Sequence, residues 1–241
     1  MKIKHPIFSI NPDLLKIIAL TTMTIDHLFL FFPTLPLAEW GRFIGRISFP
    51  IFSFLLITHL YQKQIYVKYL KRLGLFGILS FIILLPFQQK LHIPLTLPFN
   101  ILISFFIVVL TLWWIKHIQN DSLSPLIKKT IIGFSFLGMG FFSFACQYSL
   151  DGFLYLIAWY FYLKKPDKMK IILLLLLSIG LNTSLTYGSL QGIASMTTTA
   201  FLLMLSHPKK NYPRLIKNTY IFYIYYPLHL AFLATIALYI K

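Results

Sequence analysis

The sequence predicts an all-α fold: a polytopic integral membrane bundle of about nine transmembrane helices with a cytoplasmic N-terminus. Three observations carry that prediction. The chain is 58% hydrophobic and only 12% charged, with a mean hydropathy of +0.76, far from the composition of a soluble domain. Its apolar residues fall into runs near the length that a ~30 Å hydrocarbon core demands. Its basic residues collect between alternate runs.

The first run, 14–32, follows Lys2, Lys4 and His5 and so resembles a signal peptide. It is too long for one, contains Asp26 and His27, and lacks a small-x-small cleavage site, so it reads as a retained helix. The second run, 43–60, opens beside Arg42 and Arg46; the third is 70–87; the fourth, 98–118, begins at Asn100. The fifth, 129–147, and the short sixth, 149–163, meet at Gln147 to Asp151, which leaves room for eight to ten spans. The seventh, eighth and ninth are 171–186, 190–206 and 216–240, the last holding Tyr225, Tyr226 and His229. No loop is long enough for a soluble domain and no internal repeat is visible, so residues 1–241 read as one transmembrane domain.

Charge fixes the expected orientation. With the N-terminus inside, the inner segments hold 18 of the 22 basic residues, and the outer ones keep only Arg42, Arg46, Lys90 and Lys241. The net charge of +16 is therefore a topology signal. Nucleic acid is not an expected partner, because such a surface would cluster its cations on one face. Cys146 is the only cysteine, which excludes an intrachain disulfide. No metal is implied.

Polar residues inside the runs are few. A carboxylate near mid-bilayer costs on the order of 2.5–3.5 kcal/mol on insertion scales, so Asp26 must face protein, water or substrate. His27 adds a side chain that takes and gives protons near neutral pH. Neighbours on a helix point about 100° apart, so Asp26 and His27 are not expected to pair. Arg42 and Arg46, four residues apart and on the charge-poor outer side, are the better partners for Asp26. An Asp26–Arg46 ion pair that locks two helices is one expectation; a polar cavity reaching the cytoplasmic face, with His27 in its wall, is the sharper one. Asn100, Asp151, Tyr226 and His229 complete the candidate site residues.

These residues lie in a recognisable pattern. Leu15-Lys16-Ile17-Ile18-Ala19-Leu20 through Thr24-Ile25-Asp26-His27, then Arg42-Phe43-Ile44-Gly45-Arg46-Ile47-Ser48-Phe49-Pro50-Ile51-Phe52, resembles the N-terminal signature of the TraX family, whose founding member acetylates the N-terminus of conjugative F pilin. Further matches follow in order: Tyr69-Leu70-Lys71-Arg72-Leu73, Asn100-Ile101-Leu102, Leu150-Asp151-Gly152, and Phe222-Tyr223-Ile224-Tyr225-Tyr226-Pro227-Leu228-His229-Leu230. One departure is that a carboxylate expected soon after Ser80 is replaced by Phe81 and apolar residues.

The resemblance implies a membrane acyltransferase of the bacterial cytoplasmic (inner) membrane. It would move an acetyl group from cytoplasmic acetyl-CoA to an outer acceptor, a pilin N-terminus or a surface glycan. Such chemistry needs a general base, a donor for the oxyanion and cations for the nucleotide phosphates. His27 is the expected base; Asp26 tunes its surroundings or holds Arg46, and Arg42 and Arg46 polarise the thioester or bind an anionic acceptor. A small-solute or proton-coupled transporter would also bury an Asp, a His and two Arg. A non-catalytic assembly factor for surface fibres would keep the ion pair and dispense with the base.

Overall fold

The computed structural model describes residues 10–91, 100–146, 148–181, 188–205, 215–216 and 220–240. Lys2, Lys4, His5, Lys209, Lys210, Arg214, Lys217 and Lys241, and the side chain of Lys90, lie outside the described residues.

The described residues form helices and no strands: α1 (Pro12–Phe31), α2 (Ala38–Gly45), α3 (Ser48–Lys63), α4 (Tyr66–Leu91), α5 (Ile101–Asn120), α6 (Pro125–Ser143), α7 (Ser149–Lys164), α8 (Lys168–Gly180), α9 (Gly188–Leu205) and α10 (Tyr220–Ile240). Their starts follow capping chemistry. The Asn11 side chain accepts from the Asp13 N–H with Pro12 in the first turn, Ser124 does the same for Ile127 ahead of Pro125, and Asp167 caps α8.

The expected second span is two helices. The chain turns at Arg46 and Ile47, and Pro50 falls in the first turn of α3, where its missing N–H is harmless. The expected count of nine is not confirmed by length. Among the described residues, six segments are long and apolar enough to cross a membrane: α1, the α2–α3 pair, α4 as far as Phe87, α5, α6 and α10. Helices α7 and α8 have 16 and 13 residues, about 24 and 20 Å at ~1.5 Å per residue, short of a ~30 Å core.

The packing is inverted relative to a soluble protein. Leu75, Ile78, Leu79 and Ile82 form an exposed apolar stripe along α4, and Phe134, Leu137 and Phe141 do so on α6. Several hydroxyls in the spans bond within their own helices: Thr21 donates to the Ile17 carbonyl, Thr24 to Leu20, Ser80 to Phe76 and Thr111 to Ile107, as a medium without water favours. The interior is built on Phe49, Phe54, Tyr155 and Trp159, all essentially fully buried. Around it, α1 packs on α2, α3 and α10, while α4 packs on α5 and α10. That arrangement puts α1 between the two helices that complete the site.

Candidate functional site

The site begins with a close approach of two helices. Gly41 and Gly45 form a small-x-x-x-small pair on α2, and a Cβ at Gly41 would run into the Phe29 ring of α1. At Gly45 a Cβ would run into the Asp26 side chain. With no side chain there, the carboxylate reaches both arginines: Asp26 Oδ1 lies 3.1 Å from Arg42 Nη1 and 3.3 Å from Arg46 Nη2. Arg42 Nη1 also donates to the Asp26 backbone carbonyl at 3.2 Å.

Tyr148 joins from α7. Its hydroxyl lies 3.5 Å from Arg46 Nη1, its ring stacks on Phe49 with centroids 3.9 Å apart, and its backbone is left-handed at φ 67°. Gly152, one turn on, leaves the room that this ring needs.

His27 points away from this cluster, toward α10, as the ~100° offset between neighbours requires. It is 3% exposed. Its Nδ1 lies 2.7 Å from His229 Nε2, and His229 Nδ1 lies 2.8 Å from the Tyr225 carbonyl. The rings of His27 and His229 stack with centroids 5.0 Å apart. A carbonyl only accepts, so His229 Nδ1 carries the hydrogen and its Nε2 accepts from His27 Nδ1 when both rings are neutral. The lone pair of His27 is then on Nε2, which has no hydrogen-bond partner among the described residues. The Tyr225 hydroxyl ties the same two helices together through Thr24 Oγ1 at 2.7 Å.

A cavity of about 400 Å³ runs alongside. Asn11, Lys16, Lys63, Lys68 and Arg72 line one end, Leu20, Leu56 and Phe105 its middle, and Met23 and Tyr226 its depth. Twelve residues of α1 separate Asn11 from Met23, about 18 Å at ~1.5 Å per residue. His27 is not in its wall; Tyr226 is, with its ring edge-on to His27 at 6.1 Å and to His229 at 5.6 Å. The expected cavity therefore stops one aromatic ring short of the histidine, because Tyr226 fills the crossing of α1 and α10. Nor do Asp26 and Arg46 line it.

The remaining candidates sit at the starts of α5 and α7. Asn100 is fully buried and caps α5, accepting from the Leu102 N–H at 3.0 Å and donating to the Gly77 carbonyl at 3.1 Å. Asp151 is exposed in the first turn of α7, facing Gly180. Among the described residues, His, Cys, Asp and Glu form no group of three placed to hold a metal ion.

The family model described as TraX protein matches residues 11–237. The chain belongs to the TraX family. It is also similar to the probable fimbrial assembly protein FimC, serogroup H1, of Dichelobacter nodosus, at 26% identity covering 94% of this chain and 96% of that protein. No solved structure matches.

The TraX signature stretches converge in space. The first carries Asp26 and His27, the second wraps the turn between α2 and α3 and supplies both arginines, and the last supplies Tyr225, Tyr226 and His229. Tyr69, Arg72 and Leu73 line the cavity. At the position where the TraX pattern led us to expect a carboxylate, Ser80 is fully buried and bonded within its own helix and Phe81 is half-buried. Tyr148 and the glycine pair were not among the sequence candidates. The glycines were legible as a G-x-x-x-G spacing, whereas Tyr148 has no local signal.

Proposed function

We propose that this TraX-family protein is an acyltransferase of the bacterial inner membrane that moves an acetyl group from acetyl-CoA to a pilin N-terminus or a surface glycan at the outer side. The observation that carries this reading is the buried relay from the Tyr225 carbonyl through His229 to His27, which leaves a lone pair on His27 Nε2. A general base needs such a fixed tautomer, and positioned bases contribute roughly 10²–10⁴-fold.

The acceptor amine or hydroxyl attacks the thioester carbonyl carbon, forming a C–N or C–O bond while its proton passes to His27 Nε2. The C–S bond then breaks, and the departing thiolate takes that proton. Arg42, 26% exposed at its side chain, and Arg46 give the outer side of the site a positive field for an anionic acceptor or the developing oxyanion. The cation-lined end of the cavity is the side expected to face the cytoplasm, where acetyl-CoA is made.

Purified protein in lipid discs, given acetyl-CoA and an amine-terminated pilin peptide, should release free thiol. His27→Ala should abolish release in a protein that still inserts and elutes as one species. Thiol release equal to wild type in His27→Ala would sink the assignment.

The fimbrial assembly name of the relative favours one second reading, a non-catalytic assembly factor for surface fibres. In that case His27→Ala leaves fibres intact, while Asp26→Ala removes them by destabilising the bundle.

A further inference from the structure

We infer that the cavity between α1, α3, α4, α5 and α10 is the channel of the acyl donor: Arg72 holds phosphate at its mouth, and Tyr226 donates a hydrogen bond to the thioester carbonyl at its inner end. This rests on the acyl-transfer reading and names the donor site for it.

Two orphaned donors point to the ligand. Tyr226 is 2% exposed, lines the cavity, and its hydroxyl, which lies beside the Ile101 backbone N–H, donates to no acceptor among the described residues. Arg72 Nε, in the wall of the same cavity, is likewise without one. Buried donors left unpaired are rare in native proteins, and each calls for an acceptor. The Arg72 guanidinium carbon lies 4.4 Å from the centre of the Tyr220 ring and the group also bonds to the Tyr223 hydroxyl, which leaves Nε for a ligand.

Charge and shape narrow the ligand class. Lys16, Lys63, Lys68 and Arg72 face a single carboxylate, Asp13, in the cavity lining. That carboxylate is occupied, accepting from Lys16 at 2.7 Å and from the Leu215 and Ile216 N–H groups at 2.9 and 3.1 Å. Between the two ends the walls are mainly apolar, with His59, Tyr69 and Tyr223 as the polar exceptions among the lining residues. The fitting molecule has an anionic phosphate at one end, a slender uncharged arm, and a carbonyl acceptor at the other, which is the chemistry of an acylated phosphopantetheine arm. As the acceptor adds to the carbonyl, negative charge grows on its oxygen; Tyr226 keeps its proton and strengthens its hydrogen bond, while His27, one ring away, takes the acceptor's proton.

The test uses the full chain in zwitterionic lipid discs, with CoA and acetyl-CoA as calorimetric probes and thiol release as the kinetic readout. Arg72→Ala should weaken CoA binding about tenfold or more, the loss expected for a charge-assisted contact. Met23→Trp, which fills the cavity, should abolish binding. Tyr226→Phe keeps the ring and should bind acetyl-CoA as wild type, with kcat lowered about 10²-fold, as for an oxyanion-hole donor. CoA binding indifferent to both Arg72→Ala and Met23→Trp, or a Tyr226→Phe protein with wild-type turnover, overturns the proposal. So does binding of phosphatidylglycerol that depends on Arg72 in a protein that does not bind CoA, which assigns the mouth to a lipid headgroup. Arg72-dependent CoA binding without thiol release keeps the channel and removes the transfer reading; thiol release unaffected by Met23→Trp does the reverse.

Discussion

His27 and His229 are 202 residues apart in the chain and 2.7 Å apart in the fold, and the Tyr225 carbonyl behind them sets the direction of the hydrogen between them. The consequence is that His229 matters through His27. His229→Gln should lower transfer less than His27→Ala, whose expected loss is about 10²–10⁴-fold. Steady-state thiol release with both variants checks the order; equal losses would mean that His229 itself meets the substrate.

Asp26, itself buried, compensates two guanidiniums. Replacing it with Asn leaves Arg42 and Arg46 facing each other without a counter-charge. Breaking a buried pair in this way destabilises by about 3–5 kcal/mol, so Asp26→Asn should melt well below wild type in detergent. Adding Arg46→Met should recover part of the loss, since the uncompensated charge is then gone.

Gly45 is where α2 touches α1. Gly45→Ala should force the helices apart and lower stability by about 1–3 kcal/mol, the usual range for overpacking. Gly133 on α6, with open space around its Cα, provides the control: Gly133→Ala should be neutral or slightly stabilising, because alanine is the better helix former. Thermal melts of the two variants side by side test the close approach directly.

Orientation can be tested with the chain's single cysteine removed. In a Cys146→Ser background, Glu39→Cys should react with an impermeant maleimide on intact cells. Lys129→Cys should react only after the membrane is opened, as a cytoplasmic basic loop requires. Labelling in the opposite order would reverse the bundle and place the basic end of the cavity outside.

Much of this was legible in the sequence because polar residues in an apolar chain have few places to hide. That Asp26 turns away from His27 follows from helical offset, and its pairing with the arginines from their four-residue spacing on the charge-poor side. The turn at Arg46 and Ile47 was not legible: Ile44, Ile47, Phe49 and Ile51 keep the run apolar across it, and hydropathy is blind to a change of helix direction. His229 could be nominated but not paired, since no local rule joins residues on the first and last helices. Tyr148 depends on a left-handed backbone at the start of α7, and the cavity on how five helices pack; neither leaves a periodic trace. Helices α7 and α8 read as spans by composition and fall short by length.

On the acyl-transfer reading, the Asp26 cluster would also sort acceptors by protonation state. One carboxylate set against two guanidiniums leaves a surplus positive charge near the C-terminal end of the first helix, close to the histidine. An ammonium group is repelled there, while a neutral amine or a hydroxyl is not. An amine acceptor would thus shed its extra proton to the surrounding water on the way in, and reach His27 already carrying the free electron pair that attack on a thioester requires.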